Sequence, residues 1–575
     1  VNISLLYNVF LGETSPLIAA RIDTPAHEMG ARRMENFISM LTGGLRKRPG
    51  TWYNGTTESN KAARLIDWLL SDGSCLMLEL TAGTIRAWRD QGNNAYQVIQ
   101  TLSIQYTDEQ INKIHCAASA NSMWLVHPDQ RPVKLTWDGS SITLSLPVFT
   151  GKDFTAVNER PSCVAFESGR LCFAGTNNEP NRIYLSKAPN SQTGQDRYTD
   201  FTAGDNPADA IVLEENDMHG SRLQWIAGNR HLLAATERAT WSDTGEVPTP
   251  ATFDMNIIEY AGSCGLQARG TKEIMVYAGR DGKSLRALVW NQSSQGSGYI
   301  DMDISEQAAH LMGAGIKDFA IADYPCPMLW IVTNAGELVS CTINIRSGII
   351  AYSKHPTGGF VEAVAVAPQR TGDVVFLSVL RDGNRNIEHI ILEDLVNADF
   401  TDSHYIDAGE AREFNTPEKT ITGLQRFAGK TIRVFADGAI EPPILVSSSG
   451  TVELQTAVSK VHFGLPYKAA FMPNTRQIPA NGTSIGKKRR VEKITLQLFR
   501  SLGGKAGTDE NKCTEIITKR FGEYELGTAP EPFTGDYDIT VSGNIDTEGK
   551  LVITHEEPCP FTLLAIVERV AILEV

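Results

Sequence analysis

The sequence predicts a mainly β chain: an irregular β-propeller, preceded by an N-terminal helical arm or platform segment and followed by small C-terminal β domains. Three observations carry that expectation. Between about residues 61 and 400, short apolar runs are joined by eight tight-turn signals: Asp72-Gly73, Ala82-Gly83, Asp138-Gly139, Ser168-Gly169, Gly228-Asn229, Asp281-Gly282, Ala335-Gly336 and Asp382-Gly383. Such dipeptides supply the positive φ angles that hairpin loops need. A Trp recurs near the end of the strand that follows a turn, at Trp88, Trp137, Trp241 and Trp290. The first two lie 49 positions apart, as do the last two, and the 104-residue gap between Trp137 and Trp241 leaves a vacant repeat that Ile183-Tyr184 fills. A period near 50 residues is the length of a propeller blade, which cannot bury both sheet faces until neighbours stack on it. Finally, all nine Trp residues lie at or before Trp330, so the composition changes beyond the repeats.

Taken in order, residues 1–60 read as an arm and platform segment. Thr24-Pro25 has the order of an N-cap and first helical residue. Gly30, Met34, Phe37, Ile38 and Leu41 then fall on one helical face before Gly43-Gly44, which predicts an amphipathic helix over about 25–41. The cluster Arg46, Lys47, Arg48 follows directly, as in an arm that docks on something. Residues 61–400 form the propeller-like body, with about six or seven blades expected; a chain of Greek-key sandwiches is the alternative, because Trp at strand ends also serves ordinary cores. Asp394 to Pro417 is polar and acidic, a linker by composition. Within 401–575, Ile494, Leu496 and Leu498 alternate with Lys493, Thr495 and Gln497, and Tyr537, Ile539 and Val541 repeat the pattern. That is the signature of half-exposed antiparallel strands in one or two small β domains.

With 53 Lys and Arg against 67 Asp and Glu, the 575-residue chain carries a formal charge of −14, which excludes a generally basic nucleic-acid binder. Apolar residues at 42% and charged residues at 21% are globular proportions and exclude a mainly disordered chain. No apolar run approaches the ~18 residues of a spanning helix, so no membrane insertion is expected. Nine scattered cysteines without a CxxC pair favour reduced thiols over a disulfide or zinc framework.

The search for chemistry returns little. Gly482-Thr483-Ser484-Ile485-Gly486 matches GxSxG in letters only, because its flanks, Pro479 and Asn481 before it and Lys487-Lys488-Arg489-Arg490 after it, are not the strand and helix of a nucleophile elbow. Neither HExxH nor a phosphate-binding GxxxxGK[ST] loop occurs, and His27-Glu28 lacks a second His one turn on. His355 reads as a hydrogen-bonded structural histidine. Glu214-Glu215 and Asp301/Asp303 are carboxylate pairs in name only, since catalytic pairing is set by separation in space. Sequons at Asn2, Asn54, Asn291 and Asn481 carry no weight without a leader. The expectation is no enzyme, no metal and no cofactor.

One resemblance stands out. Phe10-Leu11-Gly12-Glu13-Thr14-Ser15-Pro16, then Arg21 and Asp23, Gly30 and Asn36, and Gly43-Gly44-Leu45-Arg46-Lys47-Arg48-Pro49-Gly50-Thr51 resemble the N-terminus of bacteriophage tail nozzle proteins of the tail tubular protein B type. Met123 to Pro128, Gly169-Arg170-Leu171, Leu329 to Val332, His355 to Gly359, Phe533 to Asp536 and Pro558 to Thr562 extend it along most of the chain. His27 stands where an aromatic residue is expected, and about 186–220 matches nothing.

The resemblance implies a structural virion component: a homohexameric ring forming the nozzle of a short tail, assembled in the host cytoplasm. Its expected partners are other copies of itself, the adaptor ring below the portal, tail fibres or tailspikes, an internal plug or needle, and duplex DNA in non-specific transit. Arg21, Arg46 and Arg48, with Asp23 as an acidic partner, are the candidate assembly contacts. Six copies at −14 each carry −84, and acidic groups lining a channel would repel DNA from its walls. The alternative function is a propeller-type carbohydrate-binding or glycoside-hydrolysing tail protein.

Overall fold

Seven four-stranded antiparallel sheets follow one another around an axis in the computed structural model, which describes residues 2–7, 11–92, 94–214, 221–245, 247–271, 273–293, 296–397, 400–476, 486–517, 529–541, 545, 547 and 549–573. The first five blades span 64–103, 115–145, 163–214, 223–259 and 269–303, and the sixth spans 316–355. The seventh takes three strands from 360–391 and its fourth, Trp52–Thr56, from the N-terminal segment. The first strand of each blade is innermost, and Phe360–Ala367 of blade seven packs against both Ile316–Ala322 of blade six and Arg64–Leu69 of blade one, which closes the ring.

All eight turn dipeptides sit between consecutive strands of a blade. The Asp382-Gly383 turn shows why those residues are there: φ is 48° at Asp382 and 82° at Gly383, the paired left-handed conformation of a type I′ hairpin. The aromatic repeat also has one structural meaning. Trp88, Trp137, Tyr184, Trp241 and Trp290 all lie on the third strand of their blade. Each packs onto the blade before it: Trp88 on Phe376, Trp137 among the residues around Trp68, Tyr184 beside Trp124, Trp241 against Cys163 and Cys172, and Trp290 stacked 4.8 Å from His231. A wide ring at that position fills the wedge that opens between adjacent twisted sheets.

Of the unplaced stretch 186–220, residues 186–210 connect the third and fourth strands of blade three, Ile211–Glu214 is that fourth strand, and 215–220 lie outside the described residues. Phe201 pins the connection by stacking on Phe173 at 5.6 Å, and the buried Arg170 guanidinium donates to four of the surrounding carbonyls, Ser186, Pro207, Asp209 and Pro248, at 2.7–3.2 Å.

The N-terminal segment departs from the expected helix. Of the expected 25–41 helix only Pro25–Met29 is helical; Ala31–Glu35 and Phe37–Ser39, and beyond them Leu45–Lys47, are strands. Tertiary pairing overrides the helical spacing, because Ala31–Glu35 lies antiparallel to Ala469–Pro473 and Leu45–Lys47 lies against Thr562–Leu573. Asn36, at φ 54°, interrupts the run. Met34 and Phe37 therefore enter a core shared with Phe471, Leu496 and Ile566, while Ile38 enters the core of blades six and seven beside Trp330 and Val364. The apolar residues serve two cores rather than one helix face.

The acidic stretch Asp394 to Pro417 is likewise not a linker. After single turns at Asp394–Asn397 and Phe400–Asp402, it enters the 15-residue strand Asp407–Ile421. Residues 415–420 of that strand are exposed, which accounts for its polar composition.

Two blades continue outward through these added strands. The outer strand of blade six, Ile349–His355, meets Ala31–Glu35 and so joins a sheet running on through Ala469–Pro473, Val552–His555, Lys505–Gly507 and Thr514–Glu515. The outer strand of blade seven, Trp52–Thr56, meets Asp407–Ile421, then Val452–Leu465 and Thr431–Ala436. Both blade edges are thereby covered rather than left as open pairing templates. A third sheet, with Asn2–Tyr7, Phe37–Ser39, Leu45–Lys47, Thr562–Leu573, Lys488–Ser501 and Phe533–Thr540, packs over the blade-six extension. All nine cysteines are free thiols.

Candidate functional site

The residues singled out in the N-terminal segment divide sharply by environment. Arg21 and Asp23 are exposed and bind each other through a two-toothed pair at 2.9 and 3.0 Å. That contact lowers the Asp23 pKa and raises that of Arg21. Arg46 is half-buried, and desolvation lowers its pKa, with Tyr405 and Arg500 as its charged surroundings. Lys47 and Arg48 correct the expectation of a cluster that docks on a neighbour, because both side chains are fully buried within the subunit. Lys47 donates to the Glu557 carbonyl at 2.6 Å and lies over the Tyr467 ring, and burial pushes its pKa down to about 8.

Arg48 is the centre of a buried polar chain. Its guanidinium forks onto Asp407 at 3.1 and 3.0 Å, donates to Asn36 Oδ1 at 3.1 Å and to the Pro49 carbonyl at 2.8 Å, and lies 4.4 Å from the Tyr467 ring centre. Asp407 also accepts from the Thr51 amide at 3.2 Å. The Thr51 hydroxyl donates to Glu388 at 2.6 Å and accepts from the Ala408 amide at 2.7 Å. Glu388 takes Arg381 in a second fork at 2.7 and 3.0 Å, and Arg381 reaches the Thr357 carbonyl. Burial would raise the Glu388 pKa, but the guanidinium outweighs it and the net direction is down. One chain of charge-assisted bonds thus joins the N-terminal segment, blade seven and the strand leaving the propeller.

Aromatic contacts reinforce the same seam. The Trp52 ring stacks on His404 at 3.9 Å and lies near His389 at 6.3 Å. His404 Nε2 faces the Thr51 carbonyl at 3.3 Å, and a carbonyl only accepts, so Nε2 carries the proton and Nδ1 is the acceptor. His462 Nδ1, 3.2 Å away, is then the donor, and its Nε2 faces Asp402 at 3.3 Å. Burial holds His389 down to about 3 and His404 well below the ordinary histidine range.

The other feature is the propeller axis. One end is a cavity of about 640 Å³, lined by residues on the inner strands of all seven blades, with small side chains such as Ala117, Ala165, Ala227 and Ala320 leaving the space open. At the strand-start end a cleft of about 500 Å³, holding Lys113, His115 and Arg222, adjoins a recess of about 10 Å³ between Arg64, Arg269 and Lys317. Sequence reasoning missed these basic residues because they are scattered over five blades, with no local spacing to signal them.

The carboxylates considered as catalytic pairs are engaged in structural roles. Glu214 pairs with Arg182 at 2.9 Å, while Glu215 lies outside the described residues. Asp301 accepts from Arg286 at 2.9 Å and from the Tyr277 hydroxyl, and Asp303 accepts from the Ser305 amide and hydroxyl. His355 is buried and meets the Ser340 hydroxyl at 2.7 Å. Of the GxSxG letters only Gly486 is described. Among the described residues no group of three or more His, Cys, Asp or Glu could hold a metal ion, and no helix is long and apolar enough to cross a membrane.

No family model and no curated protein matches the chain. Similar solved structures include the Neurospora crassa Pan2 WD40 domain, at 10% identity and TM-score 0.36 over 60% of this chain and 95% of that one. Chaetomium thermophilum Raptor matches at 11% identity and TM-score 0.38, covering 60% of this chain and 29% of Raptor. A chain of a mitotic checkpoint complex matches at 8% identity and TM-score 0.35, over 60% and 94%.

Proposed function

We propose that the chain is a structural subunit of a short phage tail, forming the homohexameric nozzle through which duplex DNA is retained and ejected. The adaptor ring, fibres or tailspikes, and an internal plug or needle are its partners in the virion tail. The observation that carries this reading is the seam itself. Blades six and seven run without interruption into sheets built from both chain ends, and a buried chain of forks from Arg48 to Arg381 crosses the join. Such a body transmits load between its two parts, as a ring under internal pressure requires. The sequence resemblance over most of the chain supplies the tail assignment, and the acidic balance suits a conduit that must not hold DNA.

Cryo-EM of tails or mass photometry of the purified protein tests this. A closed six-fold ring with unlike surfaces meeting at each contact is expected. A lone monomer in assembled particles, or a ring whose lumen is a continuous basic wall, would overturn the conduit. Hydrolysis of host polysaccharide by the purified protein would instead establish the glycosidase alternative.

A further inference from the structure

The wedge between blades one and two is filled at one end only. Side chains alternate along a strand, so Trp137, Leu135, Val133 and Arg131 of the third strand of blade two, Gln130–Trp137, all face that wedge. The fill shrinks from an indole to an isopropyl group along this row, and where it runs out a cavity of about 250 Å³ opens to the surface. Ile104 and Tyr106, past the outer strand of blade one, and Leu144 and Leu146, at the outer strand of blade two, complete its apolar wall. Leu146 is 56% exposed and Val148 is 81% exposed, so apolar surface runs on beyond the cavity.

The charge of this notch is one-sided. Arg131 and Arg160 line it and no carboxylate does. Arg131 is exposed and, among the described residues, has no carboxylate oxygen within 4 Å. Arg160 gives Nε and Nη1 to the Thr155 and Asp129 carbonyls, which leaves Nη2 without a partner among the described residues. The acids nearest in the chain are turned elsewhere, Asp129 toward His127 Nδ1 at 3.9 Å and Asp153 to the Thr155 amide and hydroxyl at 2.9 and 2.6 Å. Arg131 acts on Asp153 only at longer range.

The backbone adds a third element. Gln100 of blade one takes the Ile142 amide and carbonyl through its side chain at 2.6 and 2.8 Å. Alternate residues of a strand point their amides and carbonyls the same way, so Leu144 turns the same edge outward. Blade two ends at this strand, and those groups of Leu144 are left to an incoming chain.

We propose that the notch docks an extended segment of a partner protein carrying an aromatic or branched apolar side chain next to a carboxylate. The apolar side chain fills the cavity, the carboxylate meets Arg131 and Arg160, and the segment's backbone bonds the open edge at Leu144. An apolar cavity of about 150 Å³ already holds benzene, so a Phe ring fits. The exposed Leu146 and Val148 and the free edge extend past what a small acid would cover, which favours a polypeptide.

The test is NMR of the full chain, labelled at Leu and Val methyl groups, titrated with the capped peptide Gly-Asp-Phe-Asp-Gly. Saturable shifts at Leu144 and Leu146 are expected, with about tenfold weaker affinity when Ala replaces the Phe or Lys replaces the Asp residues. Arg131→Glu, a change at an exposed side chain, should turn the preference toward the Lys peptide. Absent shifts, or an Arg131→Glu chain that binds the Asp peptide as well as wild type does, would overturn the docking site. Phenylpropionate bound as tightly as the peptide would make it a small-acid site, and methyl shifts that follow protein concentration without peptide would make a second copy the occupant; either result overturns the proposal.

Discussion

Arg48 and Asp407, 359 positions apart, form a two-toothed ion pair at 3.0 and 3.1 Å with both side chains fully buried. A buried pair is weak evidence of net stabilisation, but removing one partner leaves a charge without water or counter-ion. Arg48→Met alone, or Asp407→Leu alone, is expected to cost about 3–5 kcal/mol in urea unfolding. The double variant should recover much of that loss. Equal, additive losses would show that the two residues do not act as a pair.

Truncation separates two views of the N-terminal segment. Read from sequence, residues 1–60 are an arm and platform segment ahead of the propeller. In the structure those residues supply strands to both outer sheets and the Arg48 fork, and 52–56 completes blade seven. Removal of 1–50 is expected to expose the outer sheets to limited proteolysis, and removal of 1–56 to open the ring and abolish soluble expression. A protease-resistant 57–575 fragment would contradict the closure.

Assembly is better probed at Arg21 and Asp23, whose exposed side chains bond only each other among the described residues. Arg21→Ala should leave the unfolding midpoint unchanged. If the residue docks the subunit to a neighbour or adaptor, hexamer yield by mass photometry falls; unchanged yield removes it from the interface.

Acid should loosen the seam. His389 is held near 3, and His404 well below its ordinary value, chiefly by burial. An unfolded chain takes up these protons near pH 6.5, whereas the folded chain does not until far lower. The stability is therefore fully present above about 6.5 and is lost as pH falls from there toward 3, at up to about 1.4 kcal/mol per pH unit for each histidine. Urea midpoints between pH 7 and 5 should fall, and His389→Leu should flatten the slope.

The Asp382-Gly383 turn offers a purely backbone test. A Cβ on Gly383 would meet nothing within 4 Å, but φ is 82°. Gly383→Val is expected to cost about 1–2 kcal/mol in thermal unfolding, with the loss felt at Asn384–Ile391, the strand against which Trp52–Thr56 closes the ring.

Local signals made much of the propeller legible. The turn dipeptides and the Trp repeat report contacts made within a blade or between consecutive blades, and short-range geometry leaves a regular trace in sequence. Asn36 and Asp407 show where that legibility stops. The first reverses a run whose apolar spacing fits a helix, and the second begins a strand inside a stretch with the composition of a linker. Both are decided by partners more than 300 residues away, Asn36 at the Pro356 and Lys468 carbonyls and Asp407 at Arg48.

By itself, then, the sequence determined the β class, the blade period and the hairpin turns, because each depends on neighbours in the chain. Only the tertiary structure decided that Lys47 and Arg48 are buried, that the last blade is closed by an N-terminal strand, and that cations from separate blades converge at one mouth of the axis. Those outcomes depend on which distant strands pair and on which charges lose their water. No spacing within a single segment encodes either.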